Sequence, residues 1–450
     1  MGPSVTVRLL DICDAAIAAA IKAGANDAEA CAARVRSVNV QLQKNDVHIA
    51  KSADGAALGI RVIKAGRLGF SFLNRLDEPS IRESVAAALG IAAAAPADPH
   101  NVLPDPVKIE YQKGLFDPAA DSFGVDRAVG SALSMLREAR GYDPRVTVDF
   151  GEFAAHWGER AVASSRGVRA SEPSSAFQCS ILGMARDGET VSSFDYQFDG
   201  AREASGVDPA AIARRFAENV VDSLGAVKGE GFRGPVILAP KAAAEVVCYP
   251  IEAAVSARAV QKGTSRFCGK LGERVASRVL TIVDDSGLPG GLGSASFDRE
   301  GLPSEVLPLV EDGVLRNYLY DAYSACVDGR RSNGHAGGGP ADVPHVSTTN
   351  VVMSPGEVSL ADMIAGVDRG VLVTRFSGNV DPVSGDFSGV VKGGRLIRRG
   401  KLAEPLCGTM IAGNTFDLLP GVVAVSRERE RMPGSLVGHV LLSDVVVSGS

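Results

Sequence analysis

Apolar and polar residues alternate along three runs near the start of the chain, and this period of two constrains the fold more than any other feature. The alternating residues are Val38, Val40 and Leu42, then Leu58, Ile60 and Val62, and then Leu68, Phe70 and Phe72. A strand with one apolar face is typical of an antiparallel sheet that is covered on one side. The pairs Asp54-Gly55 and Ala65-Gly66 predict turns, so we expect a meander of antiparallel strands.

Helices are predicted beside these strands. The segment from Leu9 to Ala23 has apolar residues at helical spacing and stops at Gly24, which tolerates a positive φ. Pro79 is suited to the first turn of a second helix that runs to Ala95. The same combination of helices and strands is predicted again further along the chain, with a helix at 122–140, strands on both sides of the turn at 165–167, and a helix at 209–224. The N-terminal half therefore predicts an α/β domain with antiparallel sheets and flanking helices.

Chain length and the positions of glycine- and proline-rich segments predict how the chain is divided into domains. A chain of 450 residues exceeds one ordinary core and favours two domains. The polar, glycine-rich stretch 225–235 is the best boundary, which gives an N-terminal domain at 1–230 and a C-terminal domain at 231–450. The proline-rich segment 96–106 is a candidate for a further subdivision. The second half has short apolar runs and few helical periods, so we expect a largely β, barrel-like domain and an α+β fold overall.

Charge and composition exclude several classes of protein. Lys and Arg total 47 against 53 Asp and Glu, and the net charge of −6 gives no electrostatic reason to bind nucleic acid. The first helix carries Asp11 and Asp14 and does not read as a targeting segment. The alanine-rich run 86–95 is too short to span a bilayer. We expect a cytoplasmic protein without a membrane partner.

Histidine and cysteine are too sparse and scattered for a familiar metal motif. The six histidines are His48, His100, His156, His335, His345 and His439. No two of them are three or four residues apart, so no regular helix can present two imidazoles to one ion. The seven cysteines include no CxxC pair, which argues against a disulfide framework or a thiolate zinc site.

Two loops and one cysteine remain as candidates for contact or chemistry. The loop from His335 to His345, with Gly337 and Gly338, is a candidate contact for a substrate or partner, because a loop site can be built at any spacing. Cys248 has no neighbouring histidine in the sequence, so a buried structural thiol is expected there. The glycine-rich stretch 287–298 lacks the context of a nucleotide site, and we expect it and the 333–340 loop to let an extended ligand or a partner's backbone approach the sheet.

Several separate blocks of the chain carry a family resemblance in the right order. The blocks lie at 59–76, 262–285, 297–305, 309–325, 332–338, 376–389 and 408–414. They resemble the TldD/PmbA family of cytoplasmic bacterial and archaeal proteins associated with peptide proteolysis, in which PmbA is also called TldE. The resemblance covers nearly the whole chain.

The resemblance also implies where a zinc site would lie. TldD-type members carry HExxxH on the helix before a GTS-like turn, and a C-terminal cysteine completes the site. Counting back from the turn at 263–265 places the two histidines at Cys248 and Ala253 and the glutamate at Tyr249, and the cysteine falls on Val425. Alanine and valine cannot bind metal, and Pro250 lacks a helix N–H and should kink or restart the helix.

These substitutions favour the PmbA/TldE-like branch, which lacks the motif. The resemblance then implies a non-catalytic subunit, with no catalytic residue and no metal of its own, that pairs with a TldD-like zinc metallopeptidase and shapes a chamber for unfolded or small peptides. Two alternatives stay open. One is a stand-alone peptide or amide hydrolase that uses Cys248 or the loop from His335 to His345, and the other is a homodimeric binding scaffold. A homodimer is also compatible with the isolated chain.

Overall fold

The N-terminal half forms one antiparallel sheet. The computed structural model describes residues 8–449. Seven strands build this sheet in the order β3-β2-β1-β4-β5-β6, with β7 also paired to β5. Their bounds are β1 Asp27–Gln43, β2 Asp46–Lys64, β3 Arg67–Leu73, β4 Val146–Ser164, β5 Arg169–Asp187, β6 Thr190–Val191 and β7 Asp195–Ala201. Every pairing is antiparallel, so the predicted meander is confirmed.

Four helices bury one face of this sheet. They are α1 Leu9–Lys22, α2 Glu78–Ala94, α3 Val125–Tyr142 and α4 Pro209–Asp222. The alternating residues Val38, Val40 and Leu42 are buried in one core cluster with apolar residues of α3 and α4. A second cluster joins β1 and β2 to α1 and α2. The period of two therefore gave the correct buried face for β1 and β2, and Pro79 lies in the first turn of α2 as predicted. For β3 the prediction is wrong: Gly69 and Ser71 face α2, and Phe72 is 60% exposed on the other side of the sheet.

The turn predicted at Asp54-Gly55 is wrong. Strand β2 passes straight through both residues, and Asp54 pairs with Arg36 of β1. The chain instead turns at Lys44 and Asn45, which adopt φ of 50° and 64°. Asparagine tolerates this left-handed region, and two consecutive positive φ angles suit a tight hairpin. The continuous hydrogen-bonded pairing of β1 with β2 outweighs the turn preference of the Asp-Gly pair. The turn predicted at Ala65-Gly66 is confirmed.

Strands dominate the second half. Their bounds are β8 Val227–Lys228, β9 Phe232–Leu238, β10 Ile282–Asp285, β11 Val306–Glu311, β12 Val314–Leu315, β13 Ala336–Gly337, β14 His345–Val346, β15 Val351–Met353, β16 Arg369–Val373, β17 Arg375–Val380, β18 Asp386–Lys392, β19 Arg395–Arg398, β20 Lys401–Cys407, β21 Met410–Asn414, β22 Val422–Met432 and β23 Ser435–Ser448. Fourteen of them form one branched sheet in which β23 pairs with β9, β15, β21 and β22. The α+β class is confirmed, and closure into a barrel stays a prediction.

Short helices pack against this second sheet. They are α5 Pro240–Ala243, α6 Tyr249–Ala254, α7 Ala257–Gln261, α8 Ala322–Val327, α9 Leu360–Ala365 and α10 Thr415–Leu418. A π-helical turn at Ala244–Cys248 joins α5 to α6. Between residues 8 and 449, no helix is both long and apolar enough to cross a membrane.

Buried charges join the two halves. Arg61 of β2 contacts Glu29 at 2.5 Å and Glu300 at 2.9 Å, and Arg299 contacts Glu29 at 2.8 Å. All four side chains are at most 4% exposed. Burial alone would raise the pKa of Glu29, but the two guanidinium groups hold that pKa below its usual range. Two guanidinium groups thus face two carboxyl groups, which is the condition for keeping such groups away from water, although burial and the charge of Asp298 raise the pKa of Glu300 to about 7.

The glycine-rich stretch 287–298 packs against the chain itself. Arg202 of the first half donates to the carbonyl oxygens of Gly291, Leu292 and Ser294 at 2.6 to 3.0 Å. A Cβ atom on Gly293 would lie 2.0 Å from the carbonyl oxygen of Thr349, so this position requires glycine. The expectation that a ligand's backbone approaches here is wrong at Gly293, because the chain's own backbone already fills the space.

Candidate functional site

A groove of about 630 Å³ lies between β17 and the helical segment that follows β9. Its walls come from four separate parts of the second half. The lining residues are Ala244, Glu245, Tyr249, Glu252, Thr348, Thr349, Gly378, Asn379, Val380, Pro433, Gly434 and Ser435. The groove borders the helix on which the sequence places the degenerate zinc motif.

The π-helical turn sets the direction of the side chains on this helix. The N–H of Tyr249 donates to the carbonyl of Ala244, five residues earlier, and regular helix resumes at Tyr249. Pro250 has no N–H to offer to the carbonyl of Val246. The hydroxyl of Thr415 donates to that carbonyl instead, at 2.6 Å. The predicted restart of the helix at Pro250 is confirmed, and Thr415, which is distant in the sequence, supplies a hydrogen bond to the carbonyl that Pro250 cannot reach.

Two residues with the spacing of the family histidines face the groove across this turn. Residues five apart point about 140° away from each other on a regular α-helix, whereas a π turn stacks them. Ala244 and Tyr249 are five apart, span the π turn and both line the groove. Glu245 directly follows Ala244. The segment 244–249 therefore repeats the HExxxH spacing, with alanine and tyrosine in place of the histidines and the glutamate retained.

The positions counted back from the GTS turn are mostly elsewhere. Cys248 is 1% exposed, Val425 is 2% exposed, and both belong to the core of the second half. Ala253 does not line the groove, whereas Tyr249 does and is 49% exposed. Burial raises the pKa of the Cys248 thiol well above its ordinary value. The structure thus brings one of the four predicted positions, Tyr249, into the groove.

The groove is acidic. Burial, with a smaller contribution from the charge of Asp284, raises the pKa of Glu252 to about 7, although the Thr348 hydroxyl donates to its Oε2 at 3.0 Å. Burial also raises the pKa of Glu245. Among the described residues that line the groove there is no lysine, arginine or histidine. No local pattern in the sequence marks Thr348 as the neighbour of Glu252, because the two residues lie 96 positions apart.

The loop from His335 to His345 divides between interior and surface. His335 is 1% exposed, its Nδ1 lies 2.7 Å from the carbonyl oxygen of Asn333, and its Nε2 lies 2.8 Å from Asp284 Oδ2 without the alignment of a hydrogen bond. His345 is exposed and pairs with Gly337 between β14 and β13. A Cβ on Gly338 would lie 3.5 Å from the His345 ring. Gly337, Gly338 and His345 therefore come together, while His335 points to Asp284.

The residues at the groove do not fit a catalytic zinc ion. Such a site needs about three ligands, usually imidazole, thiolate or carboxylate, and an open position for water. The groove offers Glu245, Glu252 and the phenol of Tyr249, with no imidazole or thiolate beside them. In the part of the chain from 8 to 449, no three His, Cys, Asp or Glu side chains are grouped so that they could hold a metal ion.

Comparison with known proteins connects this geometry to a family. Three consecutive family profiles match: PmbA/TldA metallopeptidase domain 1 at 28–92, the central domain at 118–224 and the C-terminal domain at 232–449. A Haemophilus influenzae protein named Metalloprotease PmbA homolog is 28% identical, over 97% of this chain and 95% of its own length. A Metalloprotease TldD homolog from the same organism is 25% identical, over 83% of this chain and 80% of its own length.

A solved structure has the same fold. The crystal structure of TldE from Thermococcus kodakarensis superposes with a TM-score of 0.90 at 26% identity. The match covers 97% of this chain and 100% of the TldE chain. The similarity therefore extends across both halves of the chain.

Proposed function

Because the chain belongs to the PmbA/TldD family, we propose that it is a non-catalytic, TldE-like subunit that pairs with a zinc-binding TldD-like metallopeptidase. In this role its groove holds part of an unfolded or small peptide in a shared chamber, and the zinc ion belongs to the partner. The naming of relatives as PmbA and TldD metalloproteases and the similarity to TldE support the proposal.

One observation carries it. The chain forms the helix, its π turn and the groove, yet the two positions with the family's histidine spacing are Ala244 and Tyr249. Neither side chain can supply the imidazoles that zinc-bound water requires. A chain that has this helix and groove but lacks the metal-binding histidines is expected to serve in assembly and substrate contact rather than in catalysis.

The stand-alone hydrolase has little support from the geometry. A nucleophilic cysteine needs a lowered thiol pKa and access to substrate, whereas Cys248 is buried and its pKa is raised. His335 is equally inaccessible, at 1% exposure. Nothing in the described residues favours a homodimeric scaffold over a complex with a related chain.

Co-expression of the tagged chain with an HExxxH-bearing family member from the same genome tests the proposal. We expect the two chains to co-purify, zinc to be found with the partner, and cleavage of unfolded peptide to need both. Replacing the partner's HExxxH glutamate by glutamine is the matched control and should abolish cleavage without separating the subunits. Chelator-sensitive cleavage by this chain alone, or the absence of any complex, would contradict the proposal.

A further inference from the structure

Two glutamates and no cationic side chain line the groove, so it carries negative charge above about pH 7, although the charge of Arg375 lies near enough to Glu245 to lower its pKa in part. Glu245 and Glu252 are seven residues apart across the π turn and line the same cavity. Asp284, which is fully buried, lies behind Glu252 and adds to the negative potential. Elsewhere in the chain, buried carboxylates such as Glu29 contact arginine directly. A cavity built this way is complementary to a ligand that brings its own positive charge.

The remaining walls suit a side chain that projects from an extended backbone. Tyr249 lies between Glu245 and Glu252 in the sequence, and its aromatic side chain is half-exposed. Cations are attracted to the face of such a ring. Opposite the helix, Gly378, Asn379 and Val380 of β17 line the groove. Within residues 8–449, β17 pairs with β18 alone, so its other edge has free backbone groups.

We propose that this groove selects peptides that carry a lysine or arginine side chain, which Glu245, Tyr249 and Glu252 receive together. The proposal rests on the proposed function, because it names the substrate class that the groove would hold. The carboxylates supply charge-assisted hydrogen bonds and the ring packs on the aliphatic or guanidinium part of the side chain. The preference should weaken as salt is added, because the groove is open to solvent.

Binding of labelled ten-residue peptides to the full-length chain tests this selection. The peptides share a neutral sequence and differ only in a central Arg, Gln or Glu. By fluorescence anisotropy at low salt we expect the Arg peptide to bind about tenfold more tightly than the Gln peptide, with the Glu peptide weakest. The double variant Glu245→Gln, Glu252→Gln should remove the preference and leave the Gln peptide unaffected. Glu83→Gln, an exposed helical glutamate outside the groove, is the control.

The outcomes separate the two proposals. Equal binding of all three peptides would overturn the charge selection and leave peptide holding intact. No binding of any peptide, by the chain alone or in its complex, would remove peptide holding and the selection together. Agmatine, which has the guanidinium but no peptide backbone, should compete weakly. If it competed as well as the Arg peptide, the ligand would be a free cation and the proposal would fail.

Discussion

Acidic groups with shifted pKa values lie at the junction of the two halves and in the groove, and their surroundings differ. At the junction of the two halves, Glu29 and Glu300 contact Arg61, and Arg299 completes the set. In the groove, Glu252 is partly buried and Glu245 is exposed, and neither contacts a cationic side chain among the described lining residues. Carboxyl groups in direct contact with arginine hold parts of a protein together, whereas carboxyl groups that contact no cation are available to a ligand. The contrast indicates that the junction serves the fold and the groove serves binding.

The largest effect should come from removing one charge at the junction. Arg61→Ala leaves Glu29 and Glu300 buried without their shared partner and should lower the free energy of unfolding by about 3–5 kcal/mol. Denaturant titration at neutral pH measures this loss. Arg36→Ala is the control, since its contacts with Asp54 and Asp121 are long and exposed, and we expect about 1 kcal/mol or less. An equal effect of both changes would break the comparison.

Titration of the groove carboxyl groups should make the free energy of unfolding depend on pH. The pKa of Glu252 is raised from 4.5 to about 7 in the folded chain, so the folded state binds a proton more tightly than the unfolded state. Its contribution to stability is therefore present below pH 4.5 and is lost as the pH rises to about 7. Glu252→Gln should remove roughly 2–3 kcal/mol of this decline.

Unfolding measured from pH 5 to pH 8 provides the test. Glu245 has a raised pKa of the same sign and should leave part of the decline in place, while Asp284 and the Thr348 hydroxyl face Glu252 in both proteins. Glu83→Gln should follow the unchanged chain. A profile for Glu252→Gln that matches the unchanged chain would show that this carboxyl is solvated like a surface group.

Loss of the hydroxyl that completes the π turn should have a smaller effect. Thr415→Val leaves the carbonyl of Val246 buried without a donor and should cost about 1–2 kcal/mol in the free energy of unfolding. Thr415→Ser keeps the hydroxyl and serves as the control. If the valine and serine variants were equally stable, the π turn would be held by the helix alone and Thr415 would have no part in orienting the groove.

The smallest expected effect distinguishes two ways of placing the zinc motif. The pair Ala244→His and Tyr249→His puts two imidazoles on the groove face beside Glu245, and we expect zinc to bind at least about tenfold more tightly, or about 1.4 kcal/mol, than to the unchanged chain. The pair Cys248→His and Ala253→His is the matched control. Calorimetric titration with zinc would contradict the π-turn placement if the control pair bound more tightly.

Much of the fold could be read from the sequence, and much of the site could not. Alternation identified the buried face of β1 through Val38, Val40 and Leu42, because a strand's period depends only on local geometry. The Asp54-Gly55 turn failed because cross-strand pairing outweighed a local preference. Cys248 was placed by counting residues, and counting assumes a regular helix.

By itself the sequence determined the α+β class, the family and the absence of a histidine near the groove helix. Only the tertiary structure decided which side chains face the groove. The π turn shifts the phase of the helix, and its freed carbonyl at Val246 is satisfied by Thr415, 169 residues away. A local pattern cannot contain that contact. Ala244, Glu245 and Tyr249 therefore line the groove while Cys248 is buried in the core.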